Sequence, residues 1–411
     1  MMRHDMVYFL AAFLSSCILT VFSLRKSGRK LATVFAVLAL LFSGWIVYEW
    51  GGHMLSVMSE FDGRRMYMGI SKEGLPYAAG LKDDQTPTFW AFGRTILGLT
   101  DGSFSSYQRI LSILNYGGLV VIAICVAAVS LYARKEGSIS SLSVISLVGV
   151  YVAGLLPAFR NIEVGNTNIM VAALASIFVA SVHLSRSNVG DVLGGIALGA
   201  AFMIKPYLLI VLVFVLFSSL TKKRLGHLAG LIIAGSLGFL TSLMARDIGL
   251  DTYIYFLTVA RKLIYYHWSS HPLNLSLLRQ APVHMLGMAS AVAILFFSIF
   301  AVLDSRKPGS TVLYWFFPAL LPFPILWDAH LFGVFPAFLF FLSGKGESEQ
   351  VIVWAVAVTL IYCSCVVTIP LMVNILLLGM WLWGIAGTRS YSFTRYTSGE
   401  GRGELLRLLG V

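Results

Sequence analysis

Charge is what this sequence has least of. Only 12% of its 411 residues are charged, against 58% hydrophobic, where a soluble domain carries about 25% charged residues. That shortage excludes a fully solvated surface around an ordinary core. A disulfide framework is lacking too. Cys17, Cys125, Cys363 and Cys365 all lie in apolar runs, and the last two would point to different faces of a helix. No loop has zinc-ligand spacing, so no metal site is expected. Also missing are a Rossmann phosphate loop, an Asp-x-Asp motif and a basic domain interleaved with aromatic stacking residues. The last absence excludes nucleic acid as a partner despite a formal net charge of +11. Nor is there an internal repeat of the kind found in inverted-repeat transporters.

What is present is a series of apolar runs, most of them about 15 to 24 residues long and bounded by charged clusters. That length crosses a bilayer, and in hydrocarbon such runs must be helices to satisfy their own backbone amides. About thirteen spans are expected, near Val7–Leu24, Leu31–Trp50, Ile110–Tyr132, Ile139–Pro157, Ile169–Leu184, Val189–Met203, Tyr207–Leu220, Leu225–Met244, Val283–Leu303, Val312–Leu326, Leu331–Leu342, Val351–Thr368 and Leu371–Ala386. Leu14-Ser15-Ser16-Cys17 resembles a lipoprotein cleavage box, but the apolar run continues to Leu24 and ends in a basic cluster, so it reads as a retained span. The fold class is therefore an all-α integral membrane bundle over residues 1–386, followed by a polar cytoplasmic tail over 387–411.

Charge orients the bundle. With Arg25, Lys26, Arg29 and Lys30 placed in the cytoplasm, the alternating cytoplasmic connections hold Arg134, Lys135, Arg186, Lys222, Lys223, Arg224, Arg306, Lys307 and Lys345. The short outer segments hold only Arg3, Arg160 and Lys205. This positive-inside bias sets the N-terminus outside and the C-terminus inside. Two long loops, about 51–109 and 245–282, fall outside. Within the second, Asp251–Trp268 interleaves apolar residues with Arg261 and Lys262, as an interfacial helix on the outer leaflet would. A helix packed on the other spans fits equally.

Polar residues at membrane depth are costly, about 2.5–3.5 kcal/mol for a Lys or Asp near a helix centre on insertion scales. Here the unusual ones gather at outer span ends. Asp62, in Glu60-Phe61-Asp62-Gly63-Arg64-Arg65, follows the second span; its carboxylate is suited to accept a hydroxyl proton, or to pair with Arg64 or Arg65 in a solvated loop. Arg160-Asn161-Ile162-Glu163-Val164-Gly165-Asn166-Thr167-Asn168 offers a guanidinium and amides for sugar hydroxyls and phosphate oxygens, although Asn166 or Asn168 also suits a helix cap. Lys205-Pro206 interrupts the apolar stretch from Val189 to Leu220. Its lysine is suited to a phosphate, or to snorkelling toward headgroups. Asn274 follows the second loop in His271-Pro272-Leu273-Asn274-Leu275-Ser276, and His330 ends the short turn Trp327-Asp328-Ala329-His330.

In this order the motifs resemble glycosyltransferase family 87, the bacterial polyprenyl-phosphate-mannose-dependent alpha-mannosyltransferases of the GT-C class. The pattern has an early outer-loop Asp (Asp62), a Gly-Gln-x-Asn motif opening a span (Gly165 to Asn168), a Lys-Pro pair (Lys205-Pro206), an Asn-x-Ser stretch (Asn274 to Ser276) and a Trp-x-x-His turn (Trp327 to His330). The likeness runs from about residue 45 to 345. Asn166 stands in place of the usual Gln, Leu208 in place of a proline often found two residues after the Lys-Pro pair, and the first span looks like an addition.

The resemblance implies inverting transfer of a hexose, mannose first, from a polyprenyl-phosphate sugar to a glycolipid or glycan acceptor at the outer face of the cell (inner) membrane. Asp62 would be the general base. Lys205, His330 and Arg160 would stabilise the departing phosphate, and Asn166, Asn168 and Asn274 would orient sugar or phosphate. No cofactor is implied; donor, acceptor and membrane lipid are the partners. The rival is a secondary transporter or flippase of lipid-linked sugars, which would instead hold its polar groups near the midplane in repeated halves.

Overall fold

The computed structural model describes residues 33–34, 36–41, 43–45, 47–49, 61–71, 86–133, 141–185, 187–205, 212, 215–216, 219, 225–244, 248–256, 258, 292–294, 332, 334–343, 347–361 and 371–383. The spans expected over 7–24 and 312–326 and the tail lie outside the described residues, as do most of those over 207–220 and 283–303 and most of the second long loop.

Among the described residues the chain is helical throughout. In chain order we name α1 (Phe61–Ser71), α2 (Pro87–Gly98), α3 (Phe104–Ala133), α4 (Ser141–Val164), α5 (Asn168–Leu184), α6 (Asn188–Ile204), α7 (Leu225–Met244), α8 (Leu250–Tyr255), α9 (Val334–Ser343), α10 (Glu347–Ile361) and α11 (Leu371–Trp383). Among the described residues, three stretches are long and apolar enough to cross a membrane, Phe104–Tyr132, Leu142–Val164 and Leu225–Met244. Their exposed surfaces say the same. On α3, Ile113, Val120, Ile124 and Leu131 face outward, and on α7 Ile232, Leu237, Leu240 and Leu243 do. Apolar stripes of that extent belong in hydrocarbon rather than water.

Two sequence-based boundaries move. Where it is described, the first long loop holds α1, α2 and the first turns of α3. α2 begins where Thr86, in extended conformation, accepts a hydrogen bond from the Phe89 N–H at 3.2 Å, with Pro87 supplying the first helical residue. α3 begins after a turn in which Gly102 takes φ +70° and Asp101 Oδ1 accepts from the Ser103 N–H and hydroxyl. Hydrogen bonds from Ser106 and Ser103 hold the Asp101 carboxyl below its usual range. With 30 residues, α3 is about 45 Å long, so its first turns stand beyond a hydrocarbon core of about 30 Å. The second change is at Pro157, which does not end its helix: α4 continues to Val164. Asn161 Nδ2 donates to the Pro157 carbonyl at 2.7 Å, the kind of side-chain support that makes a proline tolerable in such a helix.

The helices α3 to α6 alternate in direction, and α7 runs parallel to α6, with Asn188 and Asp191 beside Gly226 and Met203 beside Gly238; α5 packs against α3 and α6, and α6 against α7. Lipid chains are as apolar as leucine, so close backbone approach rather than hydrophobic force must hold such pairs. The α6–α7 seam shows how. A Cβ on Gly195 would strike the His227 carbonyl, and one on Gly230 would strike the Val192 carbonyl and the Ile196 nitrogen. Farther along, Gly199 lies against Ala234. At the opposite edge α9 and α10 pack on α4, where the absence of a Cβ on Gly149 admits the buried indole of Trp354.

A second, smaller core caps one end of these helices. Met66 and Ile70 of α1, Phe89 and Trp90 of α2, Tyr107 and Leu111 of α3, and Ile248 and Phe256 around α8 form it. Met170, in the first turn of α5, and Ile204, the last residue of α6, pack against it. The end of α4, the start of α5 and the end of α6 therefore lie at the end of the bundle that carries α1 and α2.

The seam makes a stability prediction. Gly230→Ala should destabilise the protein by about 1–3 kcal/mol, because all three groups it meets are backbone. Gly117→Ala, which meets nothing on α3, should be neutral or slightly stabilising. Thermal unfolding of the purified protein in detergent checks both; equal midpoints would refute close packing at the seam.

Candidate active site

Asp62 lies in the first turn of α1, where the helix dipole favours a carboxylate; its side-chain position lies outside the described residues. α1 is fixed by its middle. The Tyr67 hydroxyl donates to the Gly102 carbonyl at 2.8 Å, Tyr67 packs edge-on against Phe104, and the Arg64 guanidinium sits 5.3 Å from the centre of the Phe104 ring. Asp62 therefore belongs to a packed helix rather than a solvated loop.

The next residue touches the turn between α4 and α5. An ideal Cβ on Gly165 would fall 2.8 Å from the Gly63 Cα and 2.9 Å from its nitrogen, and one on Gly63 would fall 3.4 Å from the Gly165 Cα. Neither backbone can come this close if either residue carries a side chain. Gly165 also takes φ +70°, a conformation glycine adopts at no steric cost. The structure thus brings the Asp62 turn against Gly165-Asn166-Thr167-Asn168.

That turn is held from three sides. The Gly165 N–H donates to the Ile162 carbonyl at 3.1 Å, and the Asn166 N–H to the Asn161 carbonyl at 2.8 Å. Asn115 of α3 donates from Nδ2 to the Asn166 carbonyl at 3.0 Å. Asn166 Oδ1 accepts the Thr167 N–H at 2.7 Å, and Asn168 Nδ2 donates to Asn161 Oδ1 at 2.9 Å. The residue at the N-cap position is Thr167, with no side-chain capping bond, so neither asparagine is the cap. Both are buried. Arg160 is differently placed: its guanidinium pairs with Glu163 at 2.5 Å and its side chain is 37% exposed, against 6% for Glu163.

Lys205 closes α6. The residue before a proline is driven out of the helical region, and Lys205, preceding Pro206, sits at φ −137°, ψ 122°, its N–H donating to the Ala201 carbonyl. It is 1% exposed, enclosed by protein rather than extended along the outer surface. The same end of α6 is tied to α2, since Thr86 Oγ1 donates to the Met203 carbonyl. A hydroxyl cluster joins three helices beside it: Thr88 lies 2.7 Å from the Tyr253 hydroxyl and 3.2 Å from Ser242 Oγ, which is itself 2.5 Å from Tyr253. Tyr253 anchors α8 to the protein while Leu250 and Ile254 stay exposed, so this described part of the segment packs on the other helices along one face only.

Asp62, Arg160, Asn166, Asn168 and Lys205 thus belong to elements that meet at one end of the bundle. Asn274 and His330 lie outside the described residues. Three buried amides were not singled out as site residues from the sequence: Gln108, Asn115 and Asn161. The signal for the first two is their spacing. Seven residues apart, they share a helix face, and both address the turn at 165–168.

Comparison with known proteins identifies the family. Searches among curated proteins and among solved structures return no match. The sequence model of glycosyltransferase family 87 matches residues 87–324, more than half of the chain. The matched segment holds Arg160, Asn166, Asn168, Lys205 and Asn274; Asp62 precedes it and His330 follows it. With its long apolar helices and this match, the chain belongs to glycosyltransferase family 87.

Proposed function

We propose that this protein transfers a hexose, mannose first among candidates, from a polyprenyl-phosphate sugar to a glycolipid or glycan acceptor at the outer face of the cell (inner) membrane. The observation that carries the reading is the backbone contact between Gly63, next to Asp62, and Gly165, which opens the Asn166–Asn168 turn. A carboxylate, a set of amides and, on the neighbouring helix end, a buried lysine form a suitable constellation for moving a sugar off a phosphate.

The chemistry is a single inverting displacement. The acceptor oxygen attacks the anomeric carbon, the bond from that carbon to the phosphate oxygen breaks, and polyprenyl phosphate leaves with the bonding pair. Asp62 takes the acceptor proton as general base. The leaving phosphate already has a low proton affinity, so it needs charge stabilisation more than protonation. Lys205 and His330 supply that, as preorganised charges and donors do at developing anions. Arg160 is tied to Glu163, which makes it the weaker candidate for this task. A lipid donor enters sideways from the bilayer, which fits a site at helix ends.

Two predictions test the reading. Asp62→Asn should lower transfer of radiolabelled mannose from polyprenyl phosphate by about 10²- to 10⁴-fold with unchanged yield in membranes; near-normal rates would remove Asp62 from the mechanism. Lys205→Ala and His330→Ala should each weaken donor use by about tenfold to a hundredfold, the worth of a charged hydrogen bond. If both kept wild-type donor kinetics, the phosphate site would lie elsewhere. Wild-type protein that gave counterflow of a lipid-linked sugar and no product would be a transporter instead.

A further inference from the structure

The Gly63–Gly165 contact encloses a side chain that the mechanism above does not use. An ideal Cβ on Gly63 would fall 2.5 Å from Gln108 Oε1, and one on Gly165 would fall 3.1 Å from Gln108 Nε2. The amide therefore fills the space that two side chains have vacated. Gln108 is 6% exposed, and neither of its amide atoms has a hydrogen-bond partner in the protein. Such a group costs about 1–3 kcal/mol. A methionine of similar volume would space the helices without that cost, so the polarity answers something the chain does not supply.

Three neighbours repeat the pattern. Asn115 Oδ1, Thr167 Oγ1 and Asn168 Oδ1 are buried without partners, while the other ends of both asparagines are engaged. Asn115 Nδ2 is committed to the Asn166 carbonyl, and Asn168 Nδ2 to Asn161 Oδ1, whose own Nδ2 is committed to the Pro157 carbonyl. This chain of donors fixes both asparagine oxygens as acceptors. The turn at 165–168 is thus bordered by three amide oxygens and a hydroxyl, against one free amide NH2.

We propose that Gln108, Asn115, Thr167 and Asn168 form a hydroxyl-binding subsite for a sugar ring beside Asp62. The inference rests on the reading of this end of the bundle as a glycosyl-transfer site. The surplus of acceptors chooses the ligand. The phosphodiester of a polyprenyl-phosphate sugar offers acceptors only and is poorly matched to amide oxygens, whereas each sugar hydroxyl brings a donor. Phosphate recognition then falls to the cationic end of α6, and sugar recognition to the amide turn. Because the Gln108 amide is enclosed by the two glycines, a hydroxyl enters only as the first turn of α1 moves away from Gly165. Sugar binding at this subsite shifts the backbone that carries Asp62, a coupling of recognition to catalysis of the induced-fit type.

The test is a binding cycle on the purified full chain in lipid nanodiscs, with methyl α-D-mannopyranoside, its monodeoxy analogues and inorganic phosphate as probes. Wild type should bind one analogue about tenfold to a hundredfold more weakly than the parent sugar. Gln108→Met should bind the parent that much more weakly and no longer distinguish that analogue, with its response to phosphate unchanged. Thr167→Val should flatten discrimination at a different hydroxyl, and it decides the matter if Gln108→Met does not fold. Equal weakening of every sugar would mark Gln108 as merely structural and overturn the proposal, as would unchanged discrimination or no sugar binding by wild type. Discrimination without mannosyl transfer would sink the donor reading and leave the subsite; transfer without discrimination would do the reverse.

Discussion

A chain that runs through hydrocarbon must satisfy its own backbone amides, and that requirement sets the form of everything else here. It makes the apolar stretches helical and leaves their ends as the places where backbone can turn and polar side chains can gather at low cost. α4 leads into the turn at Gly165, α5 leads back, and α6 ends beside them at Lys205. The candidate chemistry sits at these three ends, where polar groups cost less than at membrane depth. Packing within the bundle follows from the same medium. With no hydrophobic force between helices in lipid, α6 and α7 hold together by backbone approach at Gly195, Gly199 and Gly230.

The smaller core turns that collection of ends into a platform. Trp90 and Phe89 of α2 and Met66 and Ile70 of α1 bury against Tyr107 and Leu111 at the start of α3. Burying a large apolar side chain is worth about 1.5–3 kcal/mol, so a cluster of this size can seat two short helices on the bundle. α1 is only 11 residues long, too short to be stable alone. It is helical because it is packed, and the packing brings Gly63 to Gly165. The turn that carries Asp62 is therefore positioned from a distance by buried aromatic residues.

Different parts of this were legible in the sequence for different reasons. Long apolar runs and Pro206 act locally, so the long helices α3, α4 and α7 and the end of α6 at Lys205 could be read directly. The family could be read because five short motifs fall in a fixed order. α1 and α2 were not legible, since each is short, mixed in character and helical only through tertiary packing. Pro157 misled because its local rule, to end a helix, is overridden when Asn161 supports the turn around it. Gln108 and Asn115 form no contiguous motif; they are single amides two helical turns apart, and their meaning depends on which turn they face. The two asparagines after Gly165 could be read as caps or as ligands from sequence alone. Only the turn itself shows the cap position at Thr167 and Asn168 bonded across to Asn161.

Lys205 shows how burial separates two explanations of a membrane lysine. A lysine that serves only to end a span can snorkel, keeping its stem in the apolar layer and its ammonium in water. That arrangement costs little, and it leaves the charge mobile. Lys205 does the opposite: it is enclosed within the protein at the end of α6, where Pro206 fixes its backbone and Thr86 ties the same turn to α2. Enclosing an ammonium carries a desolvation cost that snorkelling avoids. What the chain gains is a point charge at a fixed place, close to groups that are themselves fixed. A mobile charge would reorganise as negative charge developed on a leaving phosphate, whereas a fixed one is already oriented. The same reasoning separates the lysine from the amide turn beside it. Under the proposed transfer, cation and acceptor oxygens serve different parts of one donor molecule, and a rigid meeting of helix ends holds both in register.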